Sequence, residues 1–274
     1  MNPPTVGFIV HGYLSEMYTP FFLAPEVPLR TAISCPADDT ELKTIVTLVG
    51  REGSQRVRIG CCPNCGYVGY MDRVSKAWHQ QYYSDIWDHA SAVDIAEEVR
   101  HRRARPWPKH VKKAEEYSLP LVRAAKPDFS KTLCEIGTGY GYALSRLKGL
   151  GFRRVVGLEH SRHRAAIGRE TYGLPILEGP FEDLRIQAEL RALAPIGVFY
   201  SNHVLEHSYD PGEILALANR LQEEGDYFIS SLPNFTGEPS VITLFFIGHQ
   251  HCFTPLAFER LLMRHGYEIT DDRL

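Results

Sequence analysis

The chain has 274 residues, enough for one large domain or two unequal ones with an ample core. Hydrophobic residues make up 44% and charged residues 23%, as in an ordinary globular protein, and a formal net charge of −3 gives no bulk attraction to nucleic acid or anionic lipid. No apolar run approaches the ~20 residues of a membrane span. The stretch before Arg30 holds no Lys or Arg and is broken by Pro3, Pro4 and Pro20, against a signal peptide, so a cytoplasmic location is expected. Six cysteines without an export signal point to reduced thiols or a metal rather than disulfides.

Composition divides the chain into residues 1–90, 91–127 and 128–274. The first part holds four of the six cysteines among short strand-like runs. Cys62-Pro63-Asn64-Cys65-Gly66 has the spacing of a zinc knuckle, two thiolates on one tight turn with glycine after the second. A complete ribbon needs a second pair, and the candidate is Cys35-Pro36-Ala37-Asp38, with a carboxylate where the second thiol belongs. A hairpin of Thr44–Val49 and Gln55–Ile59, turning at Glu52-Gly53, brings the two knuckles together. The expected ligands are therefore Cys35, Asp38, Cys62 and Cys65, carboxylate being a legitimate zinc donor. Cys61, His79 or His11 are substitutes, and the alternative is a degenerate ribbon that keeps the fold without metal.

The middle part reads as a helical linker or lid. It carries six Lys or Arg between His101 and Lys113, with Trp107 among them. Acids flank the run (Glu97, Glu98, Glu115 and Glu116), so it reads as a solvated helix end rather than a nucleic-acid face.

The last part alternates strand and helix patterns. Strands are expected at Thr132–Ile136, Arg154–Glu159, Pro175–Glu178, Gly197–Asn202, Asp226–Ser231 and Tyr267–Thr270. Helices fall at Gly141–Leu150, His163–Thr171, Ile186–Leu193, Pro211–Glu223 and Pro255–His265. Asp210 and Pro211 supply start chemistry for the fourth helix, and Gly225 follows its end. Such alternation predicts an α/β fold, a parallel sheet with helices on both faces, whose ligands sit beyond the C-terminal strand ends. The first of these strands runs into Glu135-Ile136-Gly137-Thr138-Gly139-Tyr140-Gly141 and then a helix. A glycine turn there lets backbone N–H groups and a helix N-terminus come close to a ligand. Glu159, 20 residues after Gly139 at the end of the next strand, suits ribose hydroxyls. A dinucleotide fold wants its third glycine where Tyr142 stands, so the alternating glycines point elsewhere.

This E-x-G-x-G-x-G pattern resembles the first motif of class I S-adenosylmethionine (SAM) methyltransferases, and the resemblance covers roughly residues 110–270. It implies a Rossmann-like sheet, SAM as methyl donor, and a methionine cradle formed by Glu135, Gly137, Gly139 and Gly141. Glu159 then takes the ribose hydroxyls, His160 lies beside the adenine, and Phe181 of Gly179-Pro180-Phe181-Glu182-Asp183-Leu184 packs on it. Many members carry an acid where this chain has Pro180. Asn202, at the end of a strand, belongs to the same cluster. Val204-Leu205-Glu206-His207-Ser208-Tyr209-Asp210-Pro211 resembles the fourth motif of small-molecule methyltransferases. Gly248-His249-Gln250-His251-Cys252-Phe253-Thr254 resembles the histidine stretch before their final helix, which offers His249 and His251 as the base or its positioner. The N-terminal module, followed by Trp78, Tyr82, Tyr83 and Trp87, resembles the zinc-binding-like domain fused to sugar and natural-product C-methyltransferases. That implies one structural zinc.

The expected activity is SAM-dependent methyl transfer to a small-molecule acceptor, without membrane or nucleic-acid partners. An RNA methyltransferase or a non-catalytic SAM-fold partner protein are the alternatives. The family sheet normally has a seventh strand, for which no residues follow Asp271-Asp272-Arg273-Leu274. The apolar run Val241–Ile247 inside the loop Pro233–Gly248 reads as an acceptor wall or a lid, the alternative being a short helix packed on the sheet edge or on a partner subunit of a homo-oligomer.

Overall fold

The structure, a computed structural model, describes residues 29–49, 56–86, 94–234 and 250–270. Two compact units emerge. One comprises the chain up to His79, Leu205–Gly212 and everything from Leu232 onward, and the other comprises Gln80–Val204 and Glu213–Ser231. The first unit thus recruits two later segments of the chain.

In the first unit, β1 (Leu29–Thr31) pairs antiparallel with β5 (Asp72–Val74). The hairpin expected from the alternating pattern is present as β2 (Lys43–Val49) and β3 (Arg56–Cys61), with an irregularity between Thr44 and Val46. β3 pairs with β4 (Val68–Tyr70), and β4 takes a strand from far along the chain, β11 (His251–Cys252), completing an antiparallel order β11-β4-β3-β2. Val57, Ile59, Val68, Tyr70 and Cys252 form its core. Helix α1 (Lys76–Gln81) follows the small sheet, and α9 (Pro255–Arg264) closes the unit. Thr254 caps α9 by accepting from Ala257 N at 3.1 Å.

In the second unit, a five-stranded parallel sheet has the order β10-β9-β6-β7-β8. Its strands are β6 (Thr132–Ile136), β7 (Arg154–Glu159), β8 (Ile176–Glu178), β9 (Ile196–Asn202) and β10 (Tyr227–Ser231). All five residues of β6 are buried, as befits a central parallel strand covered on both faces. The flanking helices are α2 (Ile95–Ala104), α3 (Pro108–Lys113), α4 (Leu119–Ala125), α5 (Tyr142–Lys148), α6 (Arg162–Tyr172) and α7 (Leu184–Leu193). Leu133, Val155, Val198 and Tyr200 of the sheet pack with Leu119, Val122, Leu144 and Leu147 of the helices. Helix α8 (Pro211–Arg220) starts at Asp210, whose carboxylate accepts from Gly212 N at 2.9 Å.

The sixth strand expected at Tyr267–Thr270 is absent. Gly266, at φ 84°, ends α9, and Tyr267 N donates back to Leu262 O at 3.1 Å. That helix-closing turn takes the amide a ladder would need. Among the described residues no helix is long and apolar enough to cross a membrane.

Candidate functional site

At the C-terminal end of β6 the alternating glycines have a conformational cause. Gly137, Gly139 and Gly141 have φ of 68°, 57° and 81°, so every second residue of the turn sits in the left-handed region where side chains are strained. The three positions are not equivalent. A Cβ on Gly137 would lie 2.4 Å from Val204 Cγ2, whereas a Cβ on Gly139 meets no described atom within 4 Å. Gly137 is a packing requirement, and Gly139 presents its face to open space.

Two carboxylates organise this turn. Glu159, at the end of β7, accepts from Gly139 N at 2.6 Å and from Ser161 N at 2.9 Å, so it is held against the glycine turn by backbone amides. Glu135 is buried and receives Thr138 Oγ1 at 2.7 Å. Burial first, with the Glu159 charge adding to it, pushes the Glu135 carboxyl up to about 8 against the Thr138 hydrogen bond. Ser161 caps α6 by accepting from Arg164 N at 3.2 Å.

The neighbouring candidates fall into two groups. His160 follows Glu159, and its ring centroid lies 6.0 Å from that of Tyr83. Asn202 ends β9, half-buried, and pairs in register with Ser231. Phe181 is buried, edge-on to Phe199 at 6.2 Å, so its ring belongs to the core. His203, directly after Asn202, is exposed and has φ 55°, an uncommon conformation for a residue other than glycine.

The basic run is not simply a solvated helix end. Arg102 is 3% exposed, with its guanidinium 3.4 Å from the ring centroid of Tyr140 and 4.4 Å from that of Trp107. Tyr140 lies between Gly139 and Gly141, so this arginine buttresses the glycine turn. A charge count along the sequence does not separate one buried arginine from its solvated neighbours.

In the first unit the four expected metal ligands converge. The donor atoms of Cys35, Asp38, Cys62 and Cys65 all lie within 4.8 Å of one another. Cys35 Sγ is 3.6 Å from Cys65 Sγ, far beyond the ~2.05 Å of a disulfide. Asp38 Oδ1 is 3.6 Å from Cys62 Sγ. Zinc–sulfur bonds of ~2.3 Å and a zinc–oxygen bond of ~2.1 Å set tetrahedral edges near ~3.8 Å between sulfurs and ~3.6 Å between sulfur and oxygen. Those two separations are close to the tetrahedral edges, and the four residues are of zinc's donor types. Burial pushes the Cys35 and Cys65 thiols up. Burial also acts upward on Asp38, but hydrogen bonds led by Thr40 outweigh it and hold the carboxyl below its ordinary range. Cys61 is not among the four, and its Sγ faces Cys62 O. His79 has another partner: its Nε2 lies 2.8 Å from His207 O.

His251 is fully enclosed, and its tautomer follows from its partners. Nε2 lies 3.1 Å from Ser208 O, which only accepts, so Nε2 carries the proton. Nδ1 then accepts from Tyr67 O–H at 2.7 Å, and the Tyr67 oxygen accepts in turn from Arg73 Nη2 at 3.2 Å. Burial first, then the Arg73 charge, drives His251 well below the ordinary histidine range. It is a neutral imidazole with both nitrogens engaged, and these contacts tie the Glu206–Asp210 turn to β4 and its neighbours. His79 holds that turn directly through His207 O, 128 residues away, while Tyr67 and, behind it, Arg73 act through His251; no local spacing announces them. His249, His11, Trp87, the turn at Glu52-Gly53 and the run Val241–Ile247 lie outside the described residues.

Comparison with known proteins adds to this geometry. A profile of the methyltransferase domain matches residues 99–271. The magnesium protoporphyrin IX methyltransferase of Synechocystis PCC 6803, solved with SAH, is similar at 14% identity and a TM-score of 0.48 over 72% of this chain and 91% of that one. An S-adenosylmethionine-dependent methyltransferase from Mesorhizobium loti is similar at 18% identity and a TM-score of 0.45 over 56% of this chain and 81% of that one. No curated protein sequence matches significantly.

Proposed function

Because the chain belongs to the methyltransferase-domain family, we propose that it moves the methyl group of SAM to a small-molecule acceptor and holds one structural zinc ion. The observation that carries the donor assignment is the glycine turn with Glu159 fixed against it. Gly139 is open where a ligand must approach closely, and Glu159 keeps a carboxylate at the strand end for a ribose. Glu135, Gly137 and Gly141 shape the turn, while His160 and Asn202 flank it. Phe181 supports the wall from the core rather than stacking on the base.

When bound, SAM supplies an already activated methyl group for in-line displacement. The chain's own contribution is then alignment, exclusion of water and, for an acceptor that must lose a proton, a base. His251 is spoken for by Ser208 and Tyr67. Beside His249, nominated by the resemblance of Gly248–Thr254 to the family's histidine stretch, His203 is the leading alternative. It is exposed directly after Asn202 with a strained backbone of the kind that collects at functional positions. A small acceptor fits the net charge of −3 and the V-L-E-H-S-Y-D-P turn. The burial of Arg102 takes one cation away from any nucleic-acid face.

The zinc reading rests on donor types and spacing at Cys35, Asp38, Cys62 and Cys65. Four protein donors leave no open position, so the ion is structural and fastens a small module. The experiment is incubation with methyl-labelled SAM against a small-metabolite extract and against total RNA, with elemental analysis of protein purified without chelator. Label in the metabolite fraction and one zinc per chain support the reading. Label in RNA, or in neither pool, overturns the acceptor assignment, and absence of zinc overturns the metal assignment.

A further inference from the structure

Resting on the metal reading above, we infer that Arg260 of α9 is the outer-shell partner of the carboxylate ligand Asp38, so that metal binding and the seating of α9 on the two knuckles are one coupled event. Asp38 is the unusual donor of the set, a hard oxygen among three sulfurs, and a monodentate carboxylate needs its orientation fixed. Both of its oxygens are engaged. Oδ1, the nearer to Cys62 Sγ, accepts from Thr40 N at 3.1 Å, and Oδ2 accepts from Arg260 Nη1 at 3.2 Å. The same Nη1 lies 3.3 Å from the carbonyl of Asn64, inside the second knuckle. One guanidinium thus spans both halves of the centre.

The rest of the segment grips the same two turns. Thr254 Oγ1 donates to the carbonyl of the ligand Cys65 at 2.6 Å while also capping α9. Arg264 Nη2 reaches Asp39 Oδ2 at 2.6 Å. Gly66 leaves room for this approach, since a Cβ there would lie 3.2 Å from Thr254 Cγ2 at φ +74°. As a plain ion pair, Arg260–Asp38 contributes little, because the arginine side chain is 40% exposed. Its weight lies in orienting a metal ligand, and loss of such partners typically lowers metal affinity by about 10- to 100-fold.

The test uses the full chain, stripped with chelator and titrated with zinc ion against a colorimetric competitor. The expected result is one zinc in the parent protein, an affinity lower by about 10- to 100-fold in Arg260→Met, and partial retention in Arg260→Lys. Arg264→Met, which removes an α9 contact to the non-ligand Asp39, weakens the seating alone and lowers affinity by much less than Arg260→Met. In an Asp38→Cys background the thiolate needs no such orientation, so adding Arg260→Met changes affinity little. Parent affinity in Arg260→Met, or an equal loss in both backgrounds, overturns the inference while leaving the metal site standing. A parent protein that binds no zinc overturns the metal reading itself. Zinc-dependent protection of α9 from proteolysis, present in the parent and weakened in Arg260→Met, is a readout independent of activity.

Discussion

Gly137 and Gly139 stand two residues apart in one turn and share a left-handed backbone, yet their replacement by alanine has opposite expected consequences. Placing any L side chain at φ 57° or 68° costs about 1–2 kcal/mol. Loss of unfolded-state freedom offsets about 0.4–1 kcal/mol of that. Gly139→Ala adds no overlap, because no described atom lies within 4 Å of the new Cβ. Gly137→Ala drives its Cβ to 2.4 Å from Val204 Cγ2, on a β-branched side chain with little freedom to turn aside. Overpacking of that kind adds about 1–3 kcal/mol. For a domain of this size each kcal/mol shifts the melting point by about 2–4 °C. Gly139→Ala is therefore expected to melt within about 6 °C of the parent, and Gly137→Ala to fall by a further ~2–12 °C. Binding runs the other way. Calorimetry with SAH should show Gly139→Ala weakened about tenfold or more and Gly139→Val not binding, although both are folded. Parent affinity in Gly139→Val, or equal melting losses in the two alanine variants, refutes the division between a ligand-facing and a packing glycine.

Glu159→Gln removes a charge-assisted acceptor and should weaken SAM binding by about 10- to 100-fold, read by calorimetry, with unchanged affinity refuting the ribose role. Glu135 makes ligand-free stability pH-dependent. Its folded value is raised from 4.5 to about 8, so the folded state holds the proton more tightly, and the stabilisation is full below 4.5 and lost as pH rises to about 8. The groups that act on it are Thr138, Glu159, the Leu144 backbone and Lys113, and its charge is felt by Cys134 and Tyr200. Unfolding free energies from denaturant titrations at pH 6 and pH 8.5 should differ by on the order of 2–3 kcal/mol in the parent and much less in Glu135→Gln; an equal pH dependence in the two proteins would contradict this. Tyr67→Phe leaves His251 Nδ1 without its donor and should cost about 1–3 kcal/mol of stability. His251→Ala should lower stability while turnover per folded molecule persists, and a selective loss of turnover would return His251 to the chemistry.

Short spacings carry the features legible in the amino-acid order. Alternate glycines after a strand specify a turn that needs positive φ at every second residue, and Cys-x-x-Cys with Cys-x-x-Asp specifies donors on two tight turns. Both depend on backbone geometry within a few residues, and the structure has both. The parallel sheet was legible for the same reason, since buried strands and amphipathic helices have local periods. What only the tertiary structure decided is where side chains from distant segments meet. His251 reads as a pocket histidine beside its neighbours, but Tyr67, 184 positions away, takes one nitrogen and burial keeps the ring neutral. Arg102 looks like one charge in a solvated run until Tyr140 stacks under it. Arg260 reaches Asp38 across 222 positions, and Tyr267 closes a helix instead of extending a sheet. Each of these outcomes depends on which surfaces become dry as a unit folds on itself, and a linear pattern carries no record of what lies across the fold.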